Sequence, residues 1–233
     1  SSVGHKDIIS FDMGGTTAKA CLIQNGRPDI SSMLEAGRVH RFKRGSGLPI
    51  HAPVIDMIEI GAGGGSIARV DNLGLLKIGP NSAGAKPGPA CYAQGGDEPT
   101  VTDANLLLGR ISGEARLSGD LALDLDKAGS AINAVGQELD LDKTELSEGI
   151  IRIADSNMAN AIRELTVFRG IDPRNYALMA FGGAGPLHAV ALAKELEIST
   201  VIVPAYAGVL SAWGMLQADY RVDRSVSYAG ILG

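Results

Sequence analysis

The sequence predicts an α/β fold in which a mixed β-sheet is flanked by helices. Near its start, apolar runs at residues 8–11 and 18–23 enclose Gly14 and Gly15, which is the pattern of a β-hairpin. Near its end, residues 175–204 read as strand, glycine turn, helix and strand, which predicts a parallel pair joined by a right-handed crossover. An antiparallel beginning and a parallel end together indicate one mixed sheet.

The region after the hairpin is irregular in composition. Residues 31–53 are polar and basic and contain the run RFKRGSGLP, so we expect an exposed loop there. The run VIDMIEI at residues 54–60 predicts another strand. It leads into a glycine-rich block, residues 61–110, although glycine loses much conformational entropy in a regular element. Glycines accumulate in this way where the chain makes tight turns or where a ligand approaches the backbone closely.

Helices are predicted in the second half of the chain. The run VTDANLLLGRI begins with Thr102 or Asp103 as an N-cap. Residues 120–139 have helical spacing that two glycines weaken, whereas residues 145–169 carry apolar side chains at steps of three and four and end at a glycine. After the late parallel pair, the run AGVLSAWGMLQADYRVDRSVSY predicts a small-residue helix followed by a strand-like tail.

Composition narrows the class of protein. The 233 residues are 45% hydrophobic and 20% charged, as expected for a globular chain with its own core. The net charge of −5 gives no general attraction to nucleic acid or to an anionic membrane. Two cysteines, Cys21 and Cys91, and no long apolar run make a reduced cytoplasmic protein the simplest expectation. The sequence starts without Met and soon enters a strand, which suggests a piece of a longer protein.

Three glycine turns stand beside predicted strands, at residues 12–17, 61–66 and 182–185. Bare backbone N–H groups in such turns can surround an anion, and the start of a helix adds its dipole, so phosphate is the expected guest. A Walker loop is excluded, because Ala-Lys-Pro follows the spaced glycines at 79 and 84. The run GAGPLH matches a dinucleotide-binding fingerprint only in part, because it lacks the third glycine and the later acidic residue that would bind the ribose.

The sequence contains no motif typical of serine hydrolases or of metal sites built from histidine. The sequence contains no Gly-x-Ser-x-Gly elbow, which excludes a serine hydrolase of that type, and no His-Glu-x-x-His or other metal spacing of its four histidines.

Two motifs taken together resemble a known superfamily. The turn DMGGTT, which follows a strand, resembles the phosphate-binding hairpin of the actin, sugar-kinase and heat-shock ATPase superfamily, and FGGAGPLHA resembles its adenosine motif. The resemblance implies an RNase H-like lobe with a mixed sheet flanked by helices.

A closer resemblance covers almost the whole chain. The motifs FDMGGTTAKACLI, IGAGGGSIARVD, GPNSAGAKPGPACY, PTVTDANLLLGR, FGGAGPLHA and AGVLSAWGM resemble the hydantoinase A / 5-oxoprolinase family, which includes the nucleotide-binding subunits of acetone and acetophenone carboxylases. The ending Thr-Thr-Ala-Lys is more similar to the N-methylhydantoinase and carboxylase branch. Family members carry an earlier Asp-x-Gly-Gly-Thr turn in an N-terminal lobe. The resemblance therefore implies that residues 1–233 are the second, nucleotide-binding lobe, that residues 31–110 are a glycine-rich excursion within it, and that the N-terminal lobe is absent from this chain.

The resemblance also implies an activity. We expect an ATP-dependent hydrolase of cyclic amides of the hydantoin, N-methylhydantoin or 5-oxoproline type, which phosphorylates the amide before ring opening. The implied requirements are ATP, Mg²⁺ and a hydantoinase B-like subunit, so this chain alone is expected to be inactive. The alternatives are a nucleotide-binding subunit of an ATP-dependent ketone carboxylase and a non-catalytic nucleotide-binding scaffold lobe.

Site residues follow from the same motifs. Asp12 is expected to act in catalysis as a ligand of Mg²⁺ or its water, or to orient the attacking water; its simpler alternative is to cap its own turn. The other assignments are phosphate contacts for Gly14, Gly15, Thr16 and Thr17, nucleoside contacts for Gly182, Gly183 and Gly185, and a substrate or lobe interface for Gly63, Gly64, Gly65 and Ser66. The structural alternative for the phosphate contacts is an ordinary hairpin turn, and for the nucleoside contacts it is a tight βα turn. For the interface residues it is a strand crossing packed through glycines.

Four further residues are interpreted as structural rather than functional. Asp103 is expected to cap a helix, Lys86 to be a solvated loop lysine, His188 to be a packed residue and Cys91 to be a small buried thiol.

Overall fold

The computed structural model describes residues 4–36, 45–117, 119–218 and 222. In chain order, the regular elements are β1 (Ile8–Met13), β2 (Ala18–Gln24), β3 (Arg27–Pro28), β4 (Ile30–Ala36), β5 (Leu48–Ile55), β6 (Met57–Ile60), β7 (Ser66–Val70), β8 (Leu76–Ser82), α1 (Val101–Leu107), β9 (Arg116–Leu117), β10 (Leu121–Ala122), α2 (Leu125–Leu139), α3 (Lys143–Leu165), β11 (Ala177–Phe181), α4 (Gly185–Glu195), β12 (Thr200–Ile202) and α5 (Leu210–Leu216). None of the described helices is long and apolar enough to cross a membrane.

The central sheet has the predicted mixed pairing. Its order is β12–β11–β1–β2, and both β3 and β6 pair with β2. Strand β2 is antiparallel to β1 and β6, whereas β1, β11 and β12 are parallel. This is the strand order of an RNase H-like lobe, and both the predicted hairpin and the predicted parallel unit are confirmed.

The two faces of the sheet differ in what covers them. Along β1, Ile9, Phe11 and Met13 are buried in the core that α3 and α4 form with the sheet. Because side chains of a strand alternate between faces, Ser10 and Asp12 point to the opposite side. There they line a cleft of about 850 Å³ between the sheet and α5. The strand-like tail predicted after α5 lies outside the described residues.

The long predicted helix is confirmed with shifted ends. Helix α3 begins with a capping box in which Asp142 accepts from backbone N–H groups and Glu145 reaches back to the N-cap. It ends at Leu165, and a single 3-10 turn then leads to Gly170 in the left-handed conformation, with φ 76°. Helix α2 starts only after the N-cap Asp124, so the first part of the predicted segment 120–139 is not helical.

The prediction of an exposed loop at residues 31–53 is wrong for those of its residues that the structure describes. Strands β4 and β5 pair there as a separate antiparallel hairpin, while residues 37–44 lie outside the described residues. The apolar side chains of this hairpin include Met33, Leu34 and Ile50, all of which remain exposed, so the two strands left no clear apolar alternation in the sequence. The run VIDMIEI is likewise divided, because its first part belongs to β5 and its second part to β6 in the central sheet.

The start of α1 also differs by one turn from the sequence prediction. Thr100, not Thr102 or Asp103, is the N-cap, and Asp103 completes its capping box. Asp103 is fully buried and also accepts from the backbone N–H groups of Ala90 and Cys91. Asp103 therefore takes part in the cap of α1, as the second member of the capping box. Its carboxylate also links the loop before α1 to the helix.

Candidate functional site

The three glycine turns meet at one edge of the central sheet. The N–H of Ala184, which precedes α4, donates to the carbonyl of Met13 at the end of β1, at 2.9 Å. On the other side of the hairpin turn, the N–H groups of Gly64 and Gly65 donate to the carbonyls of Gly14 and Gly15, at 3.0 and 2.6 Å. Segments far apart in sequence are thus held together by main-chain hydrogen bonds.

Gly182 allows the turn before α4 to lie against Asp12. Its φ of +83° is in the left-handed region, and a Cβ there would collide with the Asp12 carboxylate and the Met13 carbonyl. Its N–H donates to the carbonyl of Ala207 at 2.9 Å. Only glycine satisfies both the backbone conformation and this close approach.

The loop at residues 61–66 packs behind the hairpin turn. A Cβ on Gly63 would lie 2.5 Å from the carbonyl carbon of Thr16, and a Cβ on Gly64 would lie 2.8 Å from the hydroxyl of Thr102. Gly63, Gly64, Gly65 and Ser66 are all buried. Packing against the turn accounts for these residues by itself, and their assignment to a substrate or lobe interface stays a prediction.

Other glycines of the site face open space. A Cβ on Gly14, Gly15 or Gly183 would meet no atom within 4 Å. In the part of the chain that the structure describes, no acceptor receives the N–H groups of Gly15, Thr16 and Gly183. These three residues are also at least partly exposed, so the junction presents unpaired main-chain donors beside Asp12. Such a set of donors suits an anion.

Asp12 is half-buried at the centre of this junction. Its Oδ2 accepts a hydrogen bond from the hydroxyl of Ser211 on α5, at 2.9 Å. The sequence analysis did not predict this contact, since nothing in the local pattern around Ser211 links it to a residue so distant. It also did not predict a role for Lys19, whose exposed ammonium donates to the hydroxyl of Thr17 at 3.2 Å and places a cation beside the turn.

The residues present fit a nucleotide with Mg²⁺. Within the described ranges, no group of three or more His, Cys, Asp or Glu side chains could hold a metal ion. Mg²⁺ is usually held by one or two carboxylates together with phosphate oxygens and water, so a single carboxylate at Asp12 is compatible with that mode. The unpaired N–H groups and the free space beside them fit phosphate.

The remaining candidates have surroundings that fit structural roles. Lys86 is an exposed loop residue, as expected. Cys91 is fully buried in a second core with α1 and α2 residues, and burial, with a smaller contribution from the Asp103 carboxylate, raises the pKa of its thiol. Both cysteines are free thiols. His188 is fully buried one turn into α4, in agreement with its interpretation as a packed residue.

Comparison with known proteins identifies the family of the chain. The sequence model of the hydantoinase/oxoprolinase family matches residues 1–224. The chain belongs to this family. Among curated hydantoinase/oxoprolinase relatives, an uncharacterised protein of Methanocaldococcus jannaschii is 51% identical over 223 residues, which are 94% of this chain and 33% of that protein. The alpha subunit of the caprolactamase of Pseudomonas jessenii is 39% identical over 95% of this chain and 31% of the subunit.

Solved structures of the hydantoinase/oxoprolinase type share the fold. Nucleotide-free acetone carboxylase, solved in work on ATP-dependent acetone carboxylation, matches with a TM-score of 0.84 and 31% identity, over 97% of this chain and 31% of that one. The ATP-dependent caprolactamase of P. jessenii matches with a TM-score of 0.79 and 39% identity, over 91% of this chain and 30% of that one. The chain therefore spans about a third of the length of these relatives.

Proposed function

We propose that this chain is the nucleotide-binding lobe of an ATP-dependent hydrolase that opens cyclic amides of the hydantoin, N-methylhydantoin or 5-oxoproline type. The observation that carries the proposal is the junction of the hairpin turn and the α4 turn around Asp12, with unpaired N–H groups on both. One relative is an ATP-dependent caprolactamase, and caprolactam is itself a cyclic amide.

Each part of the junction has a role in this proposal. Gly14, Gly15, Thr16 and Thr17 would hold the β- and γ-phosphates through main-chain N–H groups and hydroxyls. These donors are already fixed by the strand ends, so little reorganisation is needed when charge shifts during the reaction. Asp12 would hold the water shell of Mg²⁺ or orient a water molecule, with Ser211 fixing its carboxylate.

The turn before α4 would hold the other end of the nucleotide. Gly182, Gly183 and Gly185 would lie against the nucleoside, where the open space at Gly183 leaves room for a base or a ribose. When ATP is bound, it supplies a phosphoryl group that converts the poorly reactive amide oxygen into a leaving group. The protein contributes positioning and charge neutralisation to such a transfer.

Activity is expected only of the complete protein. The chain spans about a third of its relatives, and one relative is a subunit by name. We propose that ATP lies between this lobe and a preceding N-terminal lobe, and that a hydantoinase B-like subunit completes the active site.

A ketone carboxylase is the second candidate, because acetone carboxylase gives a TM-score of 0.84. The test is phosphate release by the full-length protein with its partner subunit, supplied in turn with hydantoin, N-methylhydantoin, 5-oxoproline, and acetone with bicarbonate. Release that requires a cyclic amide supports the hydrolase, and release that requires the ketone with bicarbonate supports the carboxylase. Nucleotide binding with no substrate-dependent release would leave a scaffold lobe and contradict the hydrolase.

A further inference from the structure

A buried polar pair joins α4 to α3 and has no part in the function proposed above. Nδ1 of His188 lies 2.6 Å from Oδ1 of Asp155, and both side chains are buried. Among the described residues, Nε2 of His188 has no hydrogen-bond partner. When the Asp155 carboxylate is ionised it can only accept, and Nδ1 of His188 is then the donor of this hydrogen bond.

The position of the pair connects it to the candidate site. His188 lies in the first turn of α4, three residues after Gly185, and the N-cap Ala184 makes no side-chain capping bond that could fix the start of the helix. At the opposite end of α4, Arg163 of α3 bonds Glu195 at the surface, with Nη1 at 3.3 Å from the carboxylate. The buried pair therefore acts at the end of α4 that carries the glycine turn, together with the main-chain bond from Ala184 to Met13.

Stability alone does not account for this pair. Burying two polar side chains costs desolvation, and well-packed apolar residues of similar volume often serve stability as well or better. The unpaired Nε2 adds a further desolvation penalty. A hydrogen bond has a preferred angle as well as a preferred distance, so this bond favours one rotation of α4 relative to α3.

We propose that Asp155 and His188 are positioning residues that set the rotation of α4 and thereby the placement of residues 182–185 against Asp12. Gly182 lies so close to the Asp12 carboxylate and the Met13 carbonyl that not even a Cβ would fit between them, so a rotation of α4 would have to displace this turn. The link to nucleotide affinity rests on the proposed function, whereas the link between the pair and the turn does not.

Variants of His188 separate positioning from direct chemistry. In His188→Asn the amide can donate from near the place of Nδ1, in His188→Gln the amide lies near the place of Nε2, and His188→Leu removes both. We expect His188→Asn to bind ATP nearly as the wild type does in the full-length protein. We expect His188→Gln and His188→Leu to raise the Kd and the KM for ATP about tenfold while kcat changes little, because ground-state binding is what the turn supplies.

The thermal midpoint provides a second measurement. We expect Asp155→Leu with His188→Leu to keep or raise Tm while it loses nucleotide affinity, a combination that a purely structural role would not give. Weaker stability with unchanged affinity would overturn the proposal. Rescue by His188→Gln but not by His188→Asn would also overturn it, since Nε2 would then be the acting atom.

Hydrogen exchange tests the pair without nucleotide. The hydrogen-bonded amides of Gly182, Ala184 and Leu187 should exchange about tenfold faster in His188→Leu, because the turn opens more often once the pair no longer holds α4. The matched control is Arg163→Ala, which removes the surface link at the far end of α4 and should leave this exchange unchanged. If the wild type binds no ATP, the proposed function fails, but unchanged exchange in His188→Leu overturns the positioning role in either case.

Discussion

At the scale of single residues, Asp12 is the group on which the proposed chemistry depends. It lies next to the last residue of buried strand β1, Gly182 of the turn before α4 packs closely against it, and its Oδ2 accepts from Ser211 of α5. Three segments of the chain therefore fix one carboxylate beside a set of unpaired N–H donors.

Asp12→Asn should reduce turnover far more than stability. Asparagine keeps the shape and an oxygen that accepts from Ser211, but it removes the charge that would face Mg²⁺ or the attacking water. We expect substrate-dependent phosphate release by the full-length protein to fall about a hundredfold or more, with little change in Tm. Ser211→Ala is the control, since it removes one hydrogen bond and keeps the charge. Normal turnover in Asp12→Asn would contradict the assignment.

Gly183→Val should weaken nucleotide binding without disturbing the fold. A Cβ at this position meets no atom within 4 Å, so the side chain occupies the space assigned to the nucleoside. We expect the Kd for ATP, measured by calorimetry on the full-length protein, to rise about tenfold or more. Gly113→Val is a matched control in an exposed loop with the same open surroundings. Equal affinities for the two variants would place the nucleoside elsewhere.

The sequence showed where the glycine turns are, but not which of their glycines pack against the backbone and which face open space. Gly63 and Gly183 both stand in glycine-rich turns beside strands, yet one packs against a backbone and the other faces open space. The difference arises from contacts with distant segments, which local spacing does not encode. For the same reason Asp12 was predictable from its place at a strand end, whereas its partner Ser211 was not.

At the scale of elements, the loop at residues 61–66 acts as a brace behind the hairpin turn. It donates two backbone hydrogen bonds to the turn, and the N–H and hydroxyl of Thr102 at the start of α1 both bond the Gly64 carbonyl, at 2.8 and 2.9 Å. The first turn of α1 thus fixes the brace, and the brace fixes the hairpin turn.

Gly63→Ala should destabilise the protein and displace the turn. The new Cβ would lie 2.5 Å from the Thr16 carbonyl carbon, so backbone rather than a flexible side chain has to move. We expect a loss of about 1–3 kcal/mol in the free energy of unfolding, measured by urea titration. The control is Gly149→Ala within α3, where the Cβ makes an ordinary 3.6 Å contact with Leu76 and should stabilise by about 0.5–1 kcal/mol. Similar stabilities for the two variants would contradict the bracing role.

Regular elements were predictable where their apolar pattern is strong. Helix α3 and the pairing of β1 with β2 follow directly from the sequence, because the packed face of each is continuous. The hairpin of β4 and β5 was missed because none of its residues is fully buried and its alternation carries polar positions on both faces. A strand that packs against nothing else leaves a weak signal in the sequence.

At the scale of the whole molecule, the sheet order brings the turns together. Strands β1 and β11 are parallel neighbours, so the turns that follow them emerge at the same edge. The βαβ pattern predicted the parallel unit but not its insertion beside the hairpin, which depends on long-range pairing. Such topologies place glycine turns side by side without any local motif that links them.

Stability of the whole chain should decline at alkaline pH, in part through Cys91. Burial, with a smaller contribution from the Asp103 carboxylate, raises the pKa of this thiol in the folded state. Above pH ~8.5 the thiol of the unfolded chain releases its proton, whereas the thiol of the folded chain retains it. The stabilisation that Cys91 contributes is therefore fully present below that pH and is lost as pH rises. A thiol of this kind lowers the free energy of unfolding by at most ~1.4 kcal/mol per pH unit. Urea titrations between pH 8 and 10 should give a shallower decline for Cys91→Ala than for the wild type. Equal slopes would mean that the thiol ionises in the folded state as readily as in the unfolded chain.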